Sequence, residues 1–167
     1  PPRFEEAVEM WGALLNYELS PLQPLLEAVM GDGARQFLEF GRESFTTSSP
    51  EQMIFMHASR YEIAMEWAAW FQTYDVMLSP TWSLPAFTHG FDIAGSQEAR
   101  EVLETFRTVL PQNFLGSPAV VVPAGIADSL PVGVQVSAWR NDDLKCLAVA
   151  EIIDSAMGIS TPIEPIY

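Results

Sequence analysis

Apolar residues recur at helical spacing through the first 73 positions. Phe4, Val8, Trp11, Leu14 and Leu15 predict a helix over 4–16. Ser20-Pro21-Leu22-Gln23 has the order of a helix start: Ser20 to cap, Pro21 at the first helical position, Gln23 to reach back to the cap's amide. That helix is expected to run to about position 30 and to end at Gly31. A short helix over 34–40, closed at Gly41, follows. Ser49-Pro50-Glu51-Gln52 repeats the start signature and opens the longest predicted helix, 51–73. Ile54, Ala58, Tyr61, Met65, Ala68 and Phe71 form one stripe along it. Trp67 and Trp70 lie off that stripe, and a helix apolar on more than one face usually sits between two layers.

From Tyr74 the texture changes. Asp75-Val76-Met77-Leu78-Ser79-Pro80 reads as a short buried strand stopped by proline. An aromatic loop over 82–95 follows. Ser96 is placed to cap a helix reaching position 110, with Val102, Leu103 and Phe106 inward. Pro111 and Pro118 bracket an expected tight turn over 112–117. Ala119-Val120-Val121-Val122-Pro123 predicts a second buried strand, and 124–130 a connection to a third. In that third strand Val132, Val134 and Val136 face one way, while Gly133, Gln135 and Ser137 face the other. A last helix from Asn141 or Asp142 ends before Gly158, with Leu144, Leu147, Ala148, Ala150 and Ile152 as its apolar side. The tail 161–167 is expected to be extended. The expectation is an α/β chain with a helical region over 1–73 and a strand-and-helix region over 74–167. Three strands make a thin sheet for so much helix, so either further strands escape the pattern or the sheet continues in other polypeptide.

Charge narrows the partners. Eight basic against 22 acidic residues give −14, so neither nucleic acid nor an anionic membrane is expected to bind. Only 18% of the residues are charged and 49% are hydrophobic, against roughly 25% charged in an ordinary domain. Some apolar surface is therefore expected to meet something other than water. Cys146 is the single cysteine, which fits a reducing compartment and a cytoplasmic location.

The reactive residue types do not assemble into a catalytic constellation. Cys146 stands among Leu147, Ala148 and Val149 in a helix, as a packing cysteine does. His57 and His89 are far apart and lack a metal-ligand spacing, so no metal is expected. His57 reads as a helix histidine, whereas His89, in the aromatic loop, is placed to touch a small molecule. Glu5-Glu6, Asp142-Asp143 and Glu98 with Glu101 suit helix first turns or solvated faces. Ser49 is explained by capping, Lys145 by a surface position, and Gly31-Asp32-Gly33 is too short for a phosphate loop.

Four ordered segments change the picture. They are Tyr74-Asp75-Val76-Met77-Leu78-Ser79-Pro80-Thr81; Asn113-Phe114-Leu115-Gly116-Ser117-Pro118-Ala119 with the strand after it; Leu130-Pro131-Val132-Gly133-Val134-Gln135-Val136; and Thr161-Pro162-Ile163-Glu164-Pro165. Together they resemble the C-terminal portion of the amidase-signature hydrolases, and Arg60 in the long helix fits the same pattern. Two positions depart from it: Val109, beside Thr108, stands where a Thr is frequent, and Ser117 replaces a frequent Leu. The resemblance implies an α/β/α sandwich around a large mixed sheet, of which this chain supplies three strands and flanking helices. It also implies amide hydrolysis by a Ser, a second Ser in a cis linkage and a Lys, with backbone amides holding the oxyanion. Those elements belong upstream of the matching part, so no catalytic residue is assigned here and no cofactor is expected.

The loop after Thr81 follows a strand end, where α/β sites usually lie. Under the resemblance, Trp82, Phe87 and His89 are expected to line the substrate pocket, followed by Asn113 and Gln135. The expected partners are the remaining N-terminal catalytic part of the enzyme and a small amide, and a homodimer is left open. Two alternatives stand beside this reading. One is a non-catalytic binding or assembly module that pairs with a separate catalytic half. The other is the amidase-type subunit of a glutamine-dependent amidotransferase.

Overall fold

The computed structural model describes residues 1–43 and 48–158; the expected closing segment, 161–165, lies outside them. The order is α1 (Phe4–Leu19), α2 (Gln23–Val29), α3 (Asp32–Glu43), α4 (Pro50–Trp70), β1 (Met77–Pro80), α5 (Ser96–Thr105), α6 (Leu110–Leu115), β2 (Ala119–Ala127), β3 (Leu130–Ser137) and α7 (Asp143–Met157), with three short 3-10 turns between them. The strands form one sheet in the order β1-β3-β2, antiparallel throughout, with helices flanking it. This is the expected α/β arrangement of three strands and several helices.

Local signals succeeded where nothing competed with them. At the start of α4 the capping box forms in full. The Gln52 amide donates to Ser49 Oγ at 3.3 Å, and the Ser49 amide donates to Gln52 Oε1 at 2.7 Å. The same letters at Ser20 do not cap. There α1 passes into a 3-10 turn without leaving helical dihedrals, and Gln23 donates to Glu27 instead. The extended backbone of Met30, not Gly31, ends α2. Gly41 does not close α3; it is buried inside the helix, near Leu103. Gly95 occupies the N-cap of α5, while the Ser96 hydroxyl donates to Glu43 at 2.5 Å. That helix stops at Thr105 rather than at 110.

The expected turn over 112–117 is a helix, α6, because Pro111 suits a helix's first turn. Its end explains the Asn-x-x-Gly spacing. Gly116 adopts φ 68°, where a side chain would be strained, and lets the Ser117 amide return to the Gln112 carbonyl at 2.9 Å. The expected connection over 124–130 is also corrected. β2 continues through an irregularity between Pro123 and Gly125, then turns back at Asp128 and Ser129. Their φ values of 51° and 67° are those of a two-residue hairpin turn.

The main core lies between α1, α4 and α6: Ala7, Leu14, Met53, Ile63, Ala64, Trp67, Phe71, Phe114 and Leu115. Of the expected stripe of α4, Phe71 reaches this core, but the part nearer the N-terminus does not. Trp67 is fully buried, while Ile54 is 70% and Tyr61 67% exposed. α7 likewise buries only part of its expected apolar side, Ala150, together with Cys146, while Leu144, Leu147 and Ile152 are exposed. β1 is an edge strand and only half-buried, not enclosed on both faces.

Cross-strand partners share a face of the sheet. Register therefore puts Leu78, Val120 and Val136 on one face, and Ser79, Val121 and Gln135 on the other. The alternation expected for β3 is the one observed. α6 meets the second face, where Gln112 Nε2 donates to Ser137 Oγ at 3.2 Å. Val122 and Val136, on the first face, are buried, as are Cys146 and Ala150 of α7, the helix that runs along β2 and reaches β3.

Candidate functional site

β1 ends at Pro80, and the chain turns into an exposed loop whose position is fixed by backbone bonds. The Thr81 amide donates to the Gly133 carbonyl at 3.2 Å, and the Ser83 amide to the Thr105 carbonyl at 2.6 Å. The Thr108 hydroxyl donates to the Pro80 carbonyl at 2.8 Å. Together they hang the loop between β3 and the end of α5. Between loop and strand lies a cleft of about 340 Å³, lined by Thr81, Trp82, Leu84, Pro85, Ala86 and Phe87 on one side and Pro131, Val132 and Gly133 on the other.

The cleft is apolar and its rings are braced. Trp82 meets Phe106 edge-on at 5.2 Å and Phe87 at 6.2 Å, and Phe87 meets Phe91 at 6.1 Å. Even so, Trp82 is 42% and Phe87 40% exposed. Large rings left half bare in a concave site favour a partly apolar ligand. Gly133 forms the floor where β2 and the loop come closest. A Cβ there would lie 2.9 Å from Val121 Cγ1 and 3.3 Å from Thr81 Oγ1. Thr81 Oγ1 is itself buried without a hydrogen-bond partner.

The structure gathers some of the expected residues and separates others. Trp82 and Phe87 line the cleft. His89 lies further along the same loop, exposed and outside the lining. Gln135 is two residues along β3 from Gly133 and buried; its amide donates to Ser79 Oγ at 3.3 Å and the Thr108 carbonyl at 3.4 Å. Asn113 sits apart, on α6, where its Oδ1 accepts from Trp11 Nε1 at 3.2 Å in a hollow that Arg60 also lines. Arg60 ties α4 to α6, donating to the Phe114 carbonyl at 2.6 Å with its guanidinium over the Phe114 ring. Thr81, Val132 and Gly133 are lining residues that sequence reasoning does not single out. Their only signal is the pair of motif segments that carry them.

The reactive groups stand elsewhere. Cys146 is buried, its Sγ 3.6 Å from the Pro118 carbonyl, and burial with nearby Asp143 pushes its pKa up, so the thiol stays neutral. Lys145 donates to Asp142 at 2.8 Å, which raises its pKa and keeps it an ammonium. Among the described residues, no three His, Cys, Asp or Glu gather as metal ligands. No helix among them is long and apolar enough to cross a membrane.

Comparison with known proteins places this geometry. The amidase family model matches residues 27–147. The A-subunit of glutamyl-tRNA(Gln) amidotransferase from Salinispora arenicola is 34% identical over 100 residues, 60% of this chain and 20% of that protein. Its counterpart from Geobacillus stearothermophilus is 34% identical over 88 residues, 52% of this chain and 17% of its own length. The chain thus spans about a fifth of the curated relatives it matches. Among solved structures, an amidase superposes with a TM-score of 0.71 at 22% identity, over 93% of this chain and 36% of its own. The amidotransferase A-subunit from Thermotoga maritima superposes with a TM-score of 0.60 at 25% identity, over 92% of this chain and 33% of its own. With a family model matching well over half its residues, this chain belongs to the amidase family.

Proposed function

We propose that this chain completes the sheet and forms one wall of the substrate pocket in an amidase-type hydrolase. In this reading the Ser-Ser-Lys machinery is supplied by polypeptide outside the chain. The helical region 1–73 supports the strand-and-helix region 74–167, and the enzyme works in the cytoplasm. The reaction is hydrolysis of a non-peptide C–N bond: water's oxygen ends in the carboxylate, and the amine leaves with a proton. One observation carries the substrate class. The cleft at the end of β1, inside the segment matched to the family, is walled by Trp82, Leu84, Phe87 and Val132. Such a wall suits an amide bearing an aryl or alkyl group, whose transfer from water contributes about 0.8 kcal/mol per buried methylene.

The test is steady-state kinetics on the whole protein with anilides and with aliphatic amides. Trp82→Ala is expected to raise KM for the anilides about tenfold, on the scale of a lost aromatic contact, and to alter small aliphatic amides less. Unchanged kinetics for every amide would remove Trp82 from the site.

A second reading has its own support. Relatives at 33–34% identity are named as the A-subunit of a glutamyl-tRNA(Gln) amidotransferase. Under it the amide is glutamine, and the ammonia passes to a partner protein. Glutaminase activity that rises with a partner present, together with inert anilides, would favour this reading over the first.

A further inference from the structure

We propose that Phe106 sets the length of the apolar group the cleft accepts, a specificity role that rests on the substrate-wall reading above. Two hollows lie on either side of one ring pair. The first is the 340 Å³ cleft, which Trp82 lines. The second, about 120 Å³, opens between α1, α3 and α5; Leu15, Phe37, Leu103 and Phe106 line it, with Asn16 and Arg42 as its polar members. Trp82 and Phe106 meet edge-on at 5.2 Å. Each ring lines one hollow and touches the ring that lines the other, so the partition between them is made of side chains.

Its base is rigid. Phe106 sits at the break between α5 and the following 3-10 turn, with φ −106° and ψ 16°. The bond from the Ser83 amide to the Thr105 carbonyl clamps the loop to the residue beside it. The position of the partition is therefore set by backbone, and its thickness by the ring at position 106. A space lined almost wholly by carbon gives water few partners and favours an apolar occupant. With Phe106 in place the substituent stops at Trp82. With a small side chain there, the two hollows join and a longer chain extends into the second.

The experiment uses the whole protein and a series of anilides of acetic, butyric, hexanoic and octanoic acids. Phe106→Ala is expected to raise the octanoyl-to-acetyl ratio of kcat/KM by about tenfold or more, the scale of one or two methylenes entering an apolar pocket. Phe106→Leu should give a smaller rise, and Phe106→Trp a fall. An unchanged ratio in a Phe106→Ala protein with native near-ultraviolet circular dichroism overturns the proposal. If the alanine variant does not fold, an unchanged ratio in the leucine and tryptophan variants does so. Failure of the amidase reading looks different: no anilide is turned over by the unsubstituted protein. Titration calorimetry with the same series then decides. Preferential binding of the octanoyl anilide by the alanine variant alone upholds the partition, and equal preference in both proteins, or no binding by either, overturns it.

Discussion

Two buried regions of this chain are built on different principles. Between α1, α4 and α6 the filling is large and apolar, centred on Trp67, Ile63, Phe71 and Leu115. Against the second face of the sheet it is polar and hydrogen-bonded: Gln112 to Ser137, and Gln135 to Ser79 and the Thr108 carbonyl. The first region is held by volume, which tolerates shape changes but not voids. The second is held by direction, and places Thr108, the loop's clamp, at a fixed distance from β3. The cleft is attached to the second region, so the part of the molecule nearest the proposed chemistry is tied by directional bonds and not by volume alone. A polar network specifies one arrangement only where its members are satisfied, and here Gln112 Oε1 is left without a partner.

The largest expected effect breaks the apolar side. Trp67→Ala removes a fully buried ring and the 2.7 Å bond from its Nε1 to the Pro2 carbonyl. It should cost about 3–5 kcal/mol, read as a lower urea midpoint. Next, Gln135→Ala leaves the Thr108 carbonyl unpaired beneath the cleft, at an expected cost of about 1–3 kcal/mol. Gln112→Met sharpens the contrast: it discards an unsatisfied acceptor together with one weak bond, and the urea midpoint should move little in either direction.

Two pH effects are smaller. Burial raises the Cys146 pKa above its ordinary 9.0. The stability this contributes is fully present below that value and is lost as the pH rises through the higher folded value. Thiol reagents at neutral pH should therefore react slowly with the native chain and rapidly in denaturant. Glu6 runs the opposite way. Its bond from Arg3 lowers its pKa below 4.5, so its contribution is present above that value and is lost as pH falls through the folded one. Arg3 and Glu6 are both partly exposed, so Glu6→Gln should flatten the acid limb of the stability curve only slightly.

What the sequence revealed divides along the same lines. The Ser49 capping box was legible because every partner lies within four residues. Ser20 carries the same letters, but α1 reaches it still helical, which no local rule detects. Periodicity on α4 and α7 found apolar faces but not which face is covered. Trp67 is buried where Phe4 stacks on it and Phe71 packs beside it at a tilt, whereas Ile54 is left 70% exposed. β2 runs on past Pro123 and Gly125, residues that usually punctuate a strand, because the pairing with β3 resumes beyond an irregularity. In the cleft, Trp82 and Phe87 could be named from a loop that follows a strand end. Gly133 and Thr81 could not, since their role is a close approach between segments about fifty residues apart, visible only once β1 and β3 are paired.

The central claim is that this chain supplies a wall and not the reacting groups. The most direct measurement follows release of 4-nitroaniline from 4-nitroacetanilide by the purified 167-residue chain, alone and together with polypeptide supplying the proposed Ser-Ser-Lys elements, the two together being the whole protein of this proposal. The account predicts no release above background from the chain and turnover by the whole protein. Hydrolysis by the chain unaided, or an inert whole protein, would contradict it.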